Sequence, residues 1–177
     1  MTNLETPTPA VSVVCREPKL EDAPGVHALV EASKPLDLNS PYAYLLLCTH
    51  FRDTCVVIEH QGAVCGFVSG YRKPTDSEVL FVWQVAVGPE VRGRGVGKQL
   101  LRALLARPAC SGVTHVETTI TPSNRASHAL FAWLAREYHA PCARSTAFRA
   151  GDFGATGHEE EELLRIGPLK AQPINTI

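Results

Sequence analysis

The feature that most constrains this chain is a cluster of three glycines, Gly93, Gly95 and Gly97, at the start of a predicted helix. A β-rich run, Glu78 to Val87, precedes the cluster, and leucines at helical spacing follow it as far as Leu105. Glycine lets a backbone approach a ligand closely, and the first turn of a helix presents unpaired N–H groups at its positive dipole end. The loop therefore predicts a phosphate cradle. The alternative is a surface turn with a glycine-rich helix start.

Basic side chains surround the glycines, and the neighbouring residues narrow the choice of phosphate ligand. Arg92, Arg94 and Lys98 add positive charge to the cradle. A P-loop requires Ser or Thr after its Gly-Lys pair to reach magnesium, but Gln99 follows Lys98 here. A dinucleotide fold requires GxGxxG directly after its first strand, whereas this loop has GxGxG and several elements precede it. The pattern disfavours both an ATPase or kinase and a dinucleotide-binding enzyme.

The remaining periodicity predicts mixed α and β structure around one sheet. The chain has 177 residues, 45% of them hydrophobic, which is enough for one core of ordinary size. We expect residues 11–177 to form a single domain and the polar residues 1–10 to form a disordered arm. Strands are predicted at 11–16, 55–58, 63–71, 78–87, 116–120 and 162–166; helices at 18–33, from Ser40-Pro41 towards His50, from the glycine cluster to before Pro108, and at 123–137. The stretch between the last helix and the last strand is expected to be irregular.

Composition excludes several classes of function. The formal net charge is −1, so the chain lacks the broad basic surface that nucleic-acid binding requires. Its longest apolar run, 42–48, is too short to span a bilayer. The six cysteines form no CxxC pair and the seven histidines are scattered. We expect a reduced, cytoplasmic protein that binds no metal, nucleic acid or membrane.

Two motifs in order resemble the GNAT superfamily of N-acetyltransferases. The first is 85–89, Val-Ala-Val-Gly-Pro, followed by the glycine cluster; the second is 121–127, Thr-Pro-Ser-Asn-Arg-Ala-Ser. The resemblance implies a single mixed, mostly antiparallel sheet that is splayed at the acetyl-CoA strand and flanked by helices. It also implies acetyl-CoA as the co-substrate, with pantetheine against the backbone of Val85 and Val87 and near Asn124. The diphosphate would then lie on Arg92, Gly93, Arg94, Gly95 and Gly97.

Three further segments, 35–44, 81–87 and 158–162, resemble the L-2,4-diaminobutyrate acetyltransferases of ectoine biosynthesis within that superfamily. This resemblance implies a homodimer that acetylates the γ-amino group of diaminobutyrate. It also implies that substrate contacts come from Asp37, Tyr42, Trp83, His158 and Glu162. From the residues alone, each candidate has a structural alternative: Asp37 as a turn former, Tyr42 as a surface tyrosine, Trp83 as a core residue, His158 as a solvated loop histidine and Glu162 as part of a solvated acidic run.

Acetyl transfer to an amine requires a proton acceptor, because an alkylammonium has a pKa near about 10.4 and only the neutral amine attacks a thioester. The catalytic candidates are Glu162, which is our preferred base, His158, which either acts as a base or orients one, and Tyr42 as a hydrogen-bonding group. Many family members carry a late tyrosine in the second motif that protonates the thiolate, but Phe131 occupies that position here. We expect direct transfer in a ternary complex, without a cysteine intermediate.

Two other functions stay open from the sequence. A polyamine or peptide N-terminal acetyltransferase of the same fold would require an open groove. A non-catalytic acetyl-CoA sensor would keep the glycine loop without an amine site.

Overall fold

Seven strands form one mixed sheet in the order β1-β2-β3-β4-β5-β7-β6, in a computed structural model that describes residues 13–170. The strands are β1 (Val14–Arg16), β2 (Cys55–His60), β3 (Ala63–Lys73), β4 (Asp76–Val87), β5 (His115–Ile120), β6 (Cys142–Phe148) and β7 (Glu161–Ile166). The helices are α1 (Ala23–Glu31), α2 (Pro41–Thr49), α3 (Val96–Leu105) and α4 (Arg125–Glu137). All neighbouring strands run antiparallel except β4 and β5. The predicted mixed, mostly antiparallel sheet is confirmed, and the predicted arm at 1–10 lies outside the described residues.

Helix starts follow local capping chemistry. At α2 the Ser40 hydroxyl accepts a hydrogen bond from the Ala43 N–H at 3.3 Å, and Pro41 takes the first helical position. At α4 the Asn124 side chain accepts from the Ser127 N–H at 3.1 Å. The predicted helix at 18–33 instead divides into a short 3-10 turn and α1, so its start was placed too early.

Two apolar layers cover the two faces of the sheet. On one face, α3 and α4 pack Leu100, Leu104 and Leu134 against the strands. On the other face, α1 and α2 pack Val26 and Tyr44 among the strand residues. Each such fully buried side chain contributes roughly 1.5–3 kcal/mol relative to exposure. The helices cover only part of the second face, and that face stays accessible beside β4, β5 and β7.

The sheet opens between β4 and β5. Their parallel pairing is limited to Val79 with His115, Leu80 with Val116, and Phe81 with Glu117. Beyond Phe81 the two strands separate, although β4 continues for six residues. On the other edge of β4 the register against β3 shifts between Ser69 and Gly70, so Trp83 is the extra residue of a bulge. The predicted splay is confirmed, and it places a gap in the middle of the sheet.

The irregular stretch expected after α4 contains a strand that the sequence pattern did not predict. β6 forms the edge of the sheet and pairs with β7. Its residues, Cys-Ala-Arg-Ser-Thr-Ala-Phe, are almost all exposed, so no alternation of apolar and polar positions marks them. Within residues 13–170, no helix combines the length and the apolar character that crossing a bilayer requires.

Candidate active site

A cavity of about 650 Å³ lies over the glycine cluster, between α3, α4 and residues 33–36. We call it the glycine-loop cavity. Gly93 and Gly95 have φ of +74° and +77°, and a Cβ at either would meet no protein atom within 4 Å. These backbones are left-handed, which favours glycine, and they leave open space where a ligand approaches the start of α3. This is the geometry that a diphosphate cradle requires.

The predicted cofactor residues gather around this cavity, with one exception. Its walls include Val85, Val87, Arg92, Gly93, Gly95, Gly97 and Asn124. Arg94 is exposed and does not line the cavity. The Arg92 guanidinium donates to the Val87 carbonyl at 2.9 Å, so it is fixed to the end of β4. Lys98, which also lines the cavity, lies 5.4 Å from the centre of the Trp133 ring.

A smaller cavity of about 120 Å³, the junction cavity, occupies the splay. It shares Val85, Asn124 and Ser127 with the glycine-loop cavity. Within the described residues β4 has no strand partner on this side beyond Phe81. Its backbone groups on this side at 83–87 can therefore pair with a ligand, apart from the Val87 carbonyl, which accepts from Arg92. Phe131 is buried and lines this cavity, and its phenyl ring has no proton to donate.

A third cavity of about 560 Å³, the aromatic cavity, lies on the opposite face of the sheet. It shares Asp37, Trp83, Thr119 and Glu161 with the junction cavity. Five aromatic side chains contribute to its walls: Tyr71, Phe81, Trp83, Phe148 and Phe153. The three cavities therefore adjoin one another across the splay, from the glycine cluster to an aromatic chamber, and we call this series of cavities the passage.

His158 and Asp37 meet where the junction and aromatic cavities join. His158 Nε2 lies 2.9 Å from Asp37 Oδ2, and His158 Nδ1 lies 2.6 Å from the Glu159 carbonyl. The imidazole also stacks on Phe153, with ring centres 4.0 Å apart. The contacts to the Glu159 carbonyl and to the Asp37 carboxylate raise the pKa of His158. Because both ring nitrogens face acceptors, the imidazolium form satisfies both of them.

Glu161 is a second acidic group next to the pair of His158 and Asp37. Its Oε1 lies 3.9 Å from His158 Nε2, and the Thr119 hydroxyl also hydrogen-bonds the carboxylate. Burial raises the pKa of Glu161 in spite of these contacts. Sequence reasoning missed this residue, although the period of β7 marks it: Leu164 and Ile166 are buried on the helix face, so Glu161 points to the other face.

The prediction that Glu162 faces the substrate cleft is wrong. Side chains alternate along β7, so Glu162 lies on the face opposite Glu161. Its carboxylate pairs with Arg144 on the neighbouring edge strand at 3.4 Å and is one-third exposed. Glu162 lines none of the three cavities.

Of the two aromatic candidates, Trp83 lines the passage and Tyr42 does not. The bulge directs Trp83 to the walls of both the junction and the aromatic cavities, which is where sequence reasoning placed a substrate wall. Tyr42, in the first turn of α2, is 67% exposed and lines none of the three cavities. The structure of residues 13–170 therefore places Tyr42 outside the passage, and its contact with a substrate stays a prediction.

Gln84 is a second residue that the sequence did not reveal. Its buried side chain donates to the Asp37 carbonyl at 2.7 Å and accepts from the Tyr44 hydroxyl at 3.3 Å. The Tyr44 hydroxyl in turn accepts from the Asn39 N–H. This network fixes the loop before α2 to β4, and it thereby holds Asp37 at the passage.

The donor atoms of Asp37, His158 and Glu161 lie within 4.8 Å of one another. Two carboxylates beside an imidazole attract a cation, and either a metal ion or an alkylammonium meets that description. The aromatic walls favour the organic cation, since a π-face attracts an ammonium group.

A phosphate cradle on one face, joined through a splayed sheet to a cation-binding chamber on the other, defines a transferase with a nucleotide-linked donor and an amine acceptor. Residues 24–134 match the acetyltransferase (GNAT) family. The chain belongs to the GNAT family of acetyltransferases.

Relatives within the family are similar over most of their length. The chain is 48% identical to the L-2,4-diaminobutyric acid acetyltransferase of Chromohalobacter salexigens, over 90% of this chain and 83% of that protein. It is 46% identical to the enzyme of the same name from Bordetella parapertussis, over 94% and 90% respectively. A solved structure of diaminobutyrate acetyltransferase EctA from Paenibacillus lautus, in complex with L-2,4-diaminobutyric acid and coenzyme A, superposes with a TM-score of 0.88. Its sequence is 42% identical, and the match covers 93% of this chain and 99% of that one.

Proposed function

We propose that this protein transfers the acetyl group of acetyl-CoA to the γ-amino group of L-2,4-diaminobutyrate, which is the acetylation step of ectoine biosynthesis. The observation that carries this proposal is the passage across the splay, with a glycine-lined cavity at one end and an acidic, aromatic chamber at the other. The similarity to named diaminobutyrate acetyltransferases supports the choice of substrate.

On the donor side, acetyl-CoA would enter over the glycine cluster. The N–H groups at the start of α3 and the backbone at Gly93 and Gly95 would hold its diphosphate. Pantetheine would run along the unpaired edge of β4 at Val85 and Val87, which places the thioester in the junction cavity beside Asn124. The Asn124 carbonyl oxygen caps α4, so its amide N–H₂ is the group that remains for the cofactor.

On the acceptor side, Asp37 and Glu161 would bind the amine end of the substrate against Trp83. His158 is better suited to orientation than to proton removal, because both of its nitrogens already face acceptors. Glu161 is the better base: burial raises the pKa of its carboxyl and so makes the carboxylate a stronger proton acceptor.

The transfer itself would be direct. Glu161 takes one proton from the γ-ammonium, directly or through water, and the neutral γ-nitrogen then attacks the thioester carbonyl carbon. The C–S bond breaks, CoA leaves as the thiolate, and the second proton lost from nitrogen passes through water to that thiolate. A thiol with a pKa of roughly 8.5 is a tolerable leaving group without an acid, so Phe131 in place of a tyrosine does not prevent turnover.

A homodimer in the cytoplasm, without nucleic-acid or membrane partners, is part of this proposal. Exposed apolar side chains cluster on and beside α2, at Leu38, Tyr42, Leu45 and Phe51, and such clusters are typical of protein interfaces. Four cysteines are buried as thiols, which suits a reducing compartment. Light scattering coupled to gel filtration tests the dimer, and a monomer at micromolar concentration would contradict it.

The decisive experiment measures thiol release from acetyl-CoA with diaminopropionate, diaminobutyrate, ornithine and lysine, together with NMR of the products. We expect the highest kcat/KM for diaminobutyrate and acetylation at its γ-nitrogen, because added methylenes carry the nucleophile past the carbonyl carbon. Equal rates across the series, mainly α-acetylated product, or a preference for polyamines or peptides would overturn the assignment. Binding of acetyl-CoA without any turnover would indicate a sensor.

A further inference from the structure

A second charged cluster lies in the aromatic cavity, apart from Asp37, His158 and Glu161. Glu117 on β5 accepts a hydrogen bond from Lys73 Nζ at 2.7 Å, and Arg165 on β7 hydrogen-bonds its other carboxylate oxygen. Lys73 and Glu117 both line the cavity wall. The acyl-transfer chemistry described above uses none of these three residues.

On its cavity side the cluster presents one cation, Lys73, and one carboxylate, Glu117, whereas Arg165 binds Glu117 without lining the cavity. The Glu117 side chain is 3% exposed and stands between two cations. Burial by itself raises the pKa of Glu117, but the hydrogen bonds and charges of Lys73 and Arg165 outweigh burial and keep the pKa below its ordinary value. Glu117 is therefore a fixed anion. Arg165 also reaches Asp76, at 4.0 Å on the exposed side, whereas Lys73 has no carboxylate partner except Glu117 among residues 13–170.

Lys73 keeps hydrogen-bonding capacity for a ligand. An ammonium group has three donors, and Glu117 takes one of them. The Lys73 side chain is 34% exposed, so its remaining N–H groups are accessible from the cavity. Glu117 fixes the position of the ammonium without covering it.

The separation between the two charged clusters matches a short amino acid. Glu117 and Thr119 are two residues apart on one face of β5, which corresponds to roughly 7 Å, and Thr119 hydrogen-bonds Glu161. Diaminobutyrate has four single bonds of about 1.5 Å between its carboxylate carbon and its γ-nitrogen, so it spans about 5 Å when extended. A carboxylate at Lys73 therefore leaves the γ-nitrogen near Asp37 and Glu161, on the side of the thioester.

We propose that Lys73, held in place by Glu117, binds the α-carboxylate of the substrate and makes the enzyme selective for diamino acids over diamines. This inference rests on the proposed function, since it concerns the acceptor of that reaction. A polyamine has two cationic ends and would place one of them against Lys73. The charge of Lys73 thus supplies repulsion against the polyamine substrates that the same acidic cluster would otherwise accept.

The test compares L-2,4-diaminobutyrate with 1,3-diaminopropane, which is the same molecule without the carboxylate. Both substrates are assayed on one preparation of wild type, Lys73→Met, Lys73→Arg and Lys19→Met, because their kcat/KM ratio does not depend on the folded fraction. Lys19 is an exposed lysine that lines none of the three cavities, so its variant controls for the loss of one positive charge.

We expect Lys73→Met to lower kcat/KM for diaminobutyrate about ten- to a hundredfold, mainly through KM. We expect kcat/KM for 1,3-diaminopropane to stay equal or rise. Lys73→Arg should retain most of the preference, and Lys19→Met all of it. An unchanged substrate ratio in Lys73→Met, whether both activities fall together or neither falls, would overturn the inference. Wild type that acetylates neither compound would instead overturn the proposed function.

Discussion

The two ends of the passage differ in how the chain builds them. The glycine-loop cavity is built from two continuous segments, 85–98 and 124–136, together with 33–36, and the left-handed backbone of Gly93 and Gly95 lies in its wall. The amine end is built from side chains that are far apart in the chain, at 37, 83, 119, 158 and 161. The end proposed for acetyl-CoA thus depends on local chain conformation, whereas the end proposed for the acceptor depends on tertiary juxtaposition.

The largest effect on activity should come from replacing one of the two adjacent glutamates of β7, Glu161, and not the other, Glu162. Glu161→Gln removes the proposed base and should lower kcat about a hundredfold or more, with little change in the Kd for acetyl-CoA. Glu162→Gln is the matched control, because its side chain lies on the other face and contacts Arg144; we expect activity within about threefold of wild type. Steady-state kinetics and calorimetry measure both quantities. A larger loss in Glu162→Gln than in Glu161→Gln would refute our assignment of the faces.

A somewhat smaller effect is expected from a substitution that impairs only the acetyl-CoA end of the passage. Gly95→Val adds a side chain in the cradle and should raise the Kd for acetyl-CoA roughly thirtyfold or more, because that side chain blocks the close approach of the cofactor to the protein backbone. Gly62→Val is the control: Gly62 has φ of +80° and equally open space, so the backbone strain is similar, but it lies in the turn between β2 and β3. We expect similar losses of thermal stability in both variants and a change in acetyl-CoA affinity only in Gly95→Val. Equal affinities would exclude the glycine loop from binding.

At the amine end, a substitution of Asp37 should change the pKa of His158. Asp37→Asn removes the carboxylate beside His158, so the pKa of His158 should fall from its raised value towards 6.5. Since the folded pKa is raised, the ion pair is present below about pH 6.5 and is lost as the pH rises through the raised pKa. NMR titration of the imidazole measures this shift, and Asp53→Asn, on an exposed acid outside the three cavities, serves as the control. An unchanged His158 pKa in Asp37→Asn would mean that the pair does not form in solution.

The smallest effect is expected at the junction. Phe131→Leu should keep kcat within about tenfold, or roughly 1.4 kcal/mol in the activation barrier, because the ring supplies no proton. Its burial makes a loss of stability of about 1 kcal/mol the main consequence. Thermal unfolding and kinetics on the same sample separate the two effects. A loss of several orders of magnitude in a folded variant would show that the ring has a direct role in transfer.

Local chemistry accounts for what the sequence predicted well. The helix start at Ser40-Pro41, the left-handed glycines before α3 and the hairpin of β2 and β3 each depend on a few adjacent residues, so their patterns are visible in the chain. β6 was missed because an exposed edge strand carries no apolar alternation. The error at Glu162 has a different origin: the residue lies in a run of four glutamates, and only the alternation with Leu164 and Ile166 along β7 assigns Glu161 to the cavity face.

The sequence by its own pattern determined the donor end, since a glycine cluster before a helix specifies a phosphate cradle through backbone conformation alone. It also determined the family through two short motifs. Only the tertiary structure decided which acidic group meets His158, that Gln84 holds the Asp37 loop, and that Lys73 and Glu117 lie across the chamber from them. The physical reason is that strand pairing and the bulge at Trp83 set which face each side chain occupies. A shift of one residue reverses that face without changing the composition or the periodicity of the strand.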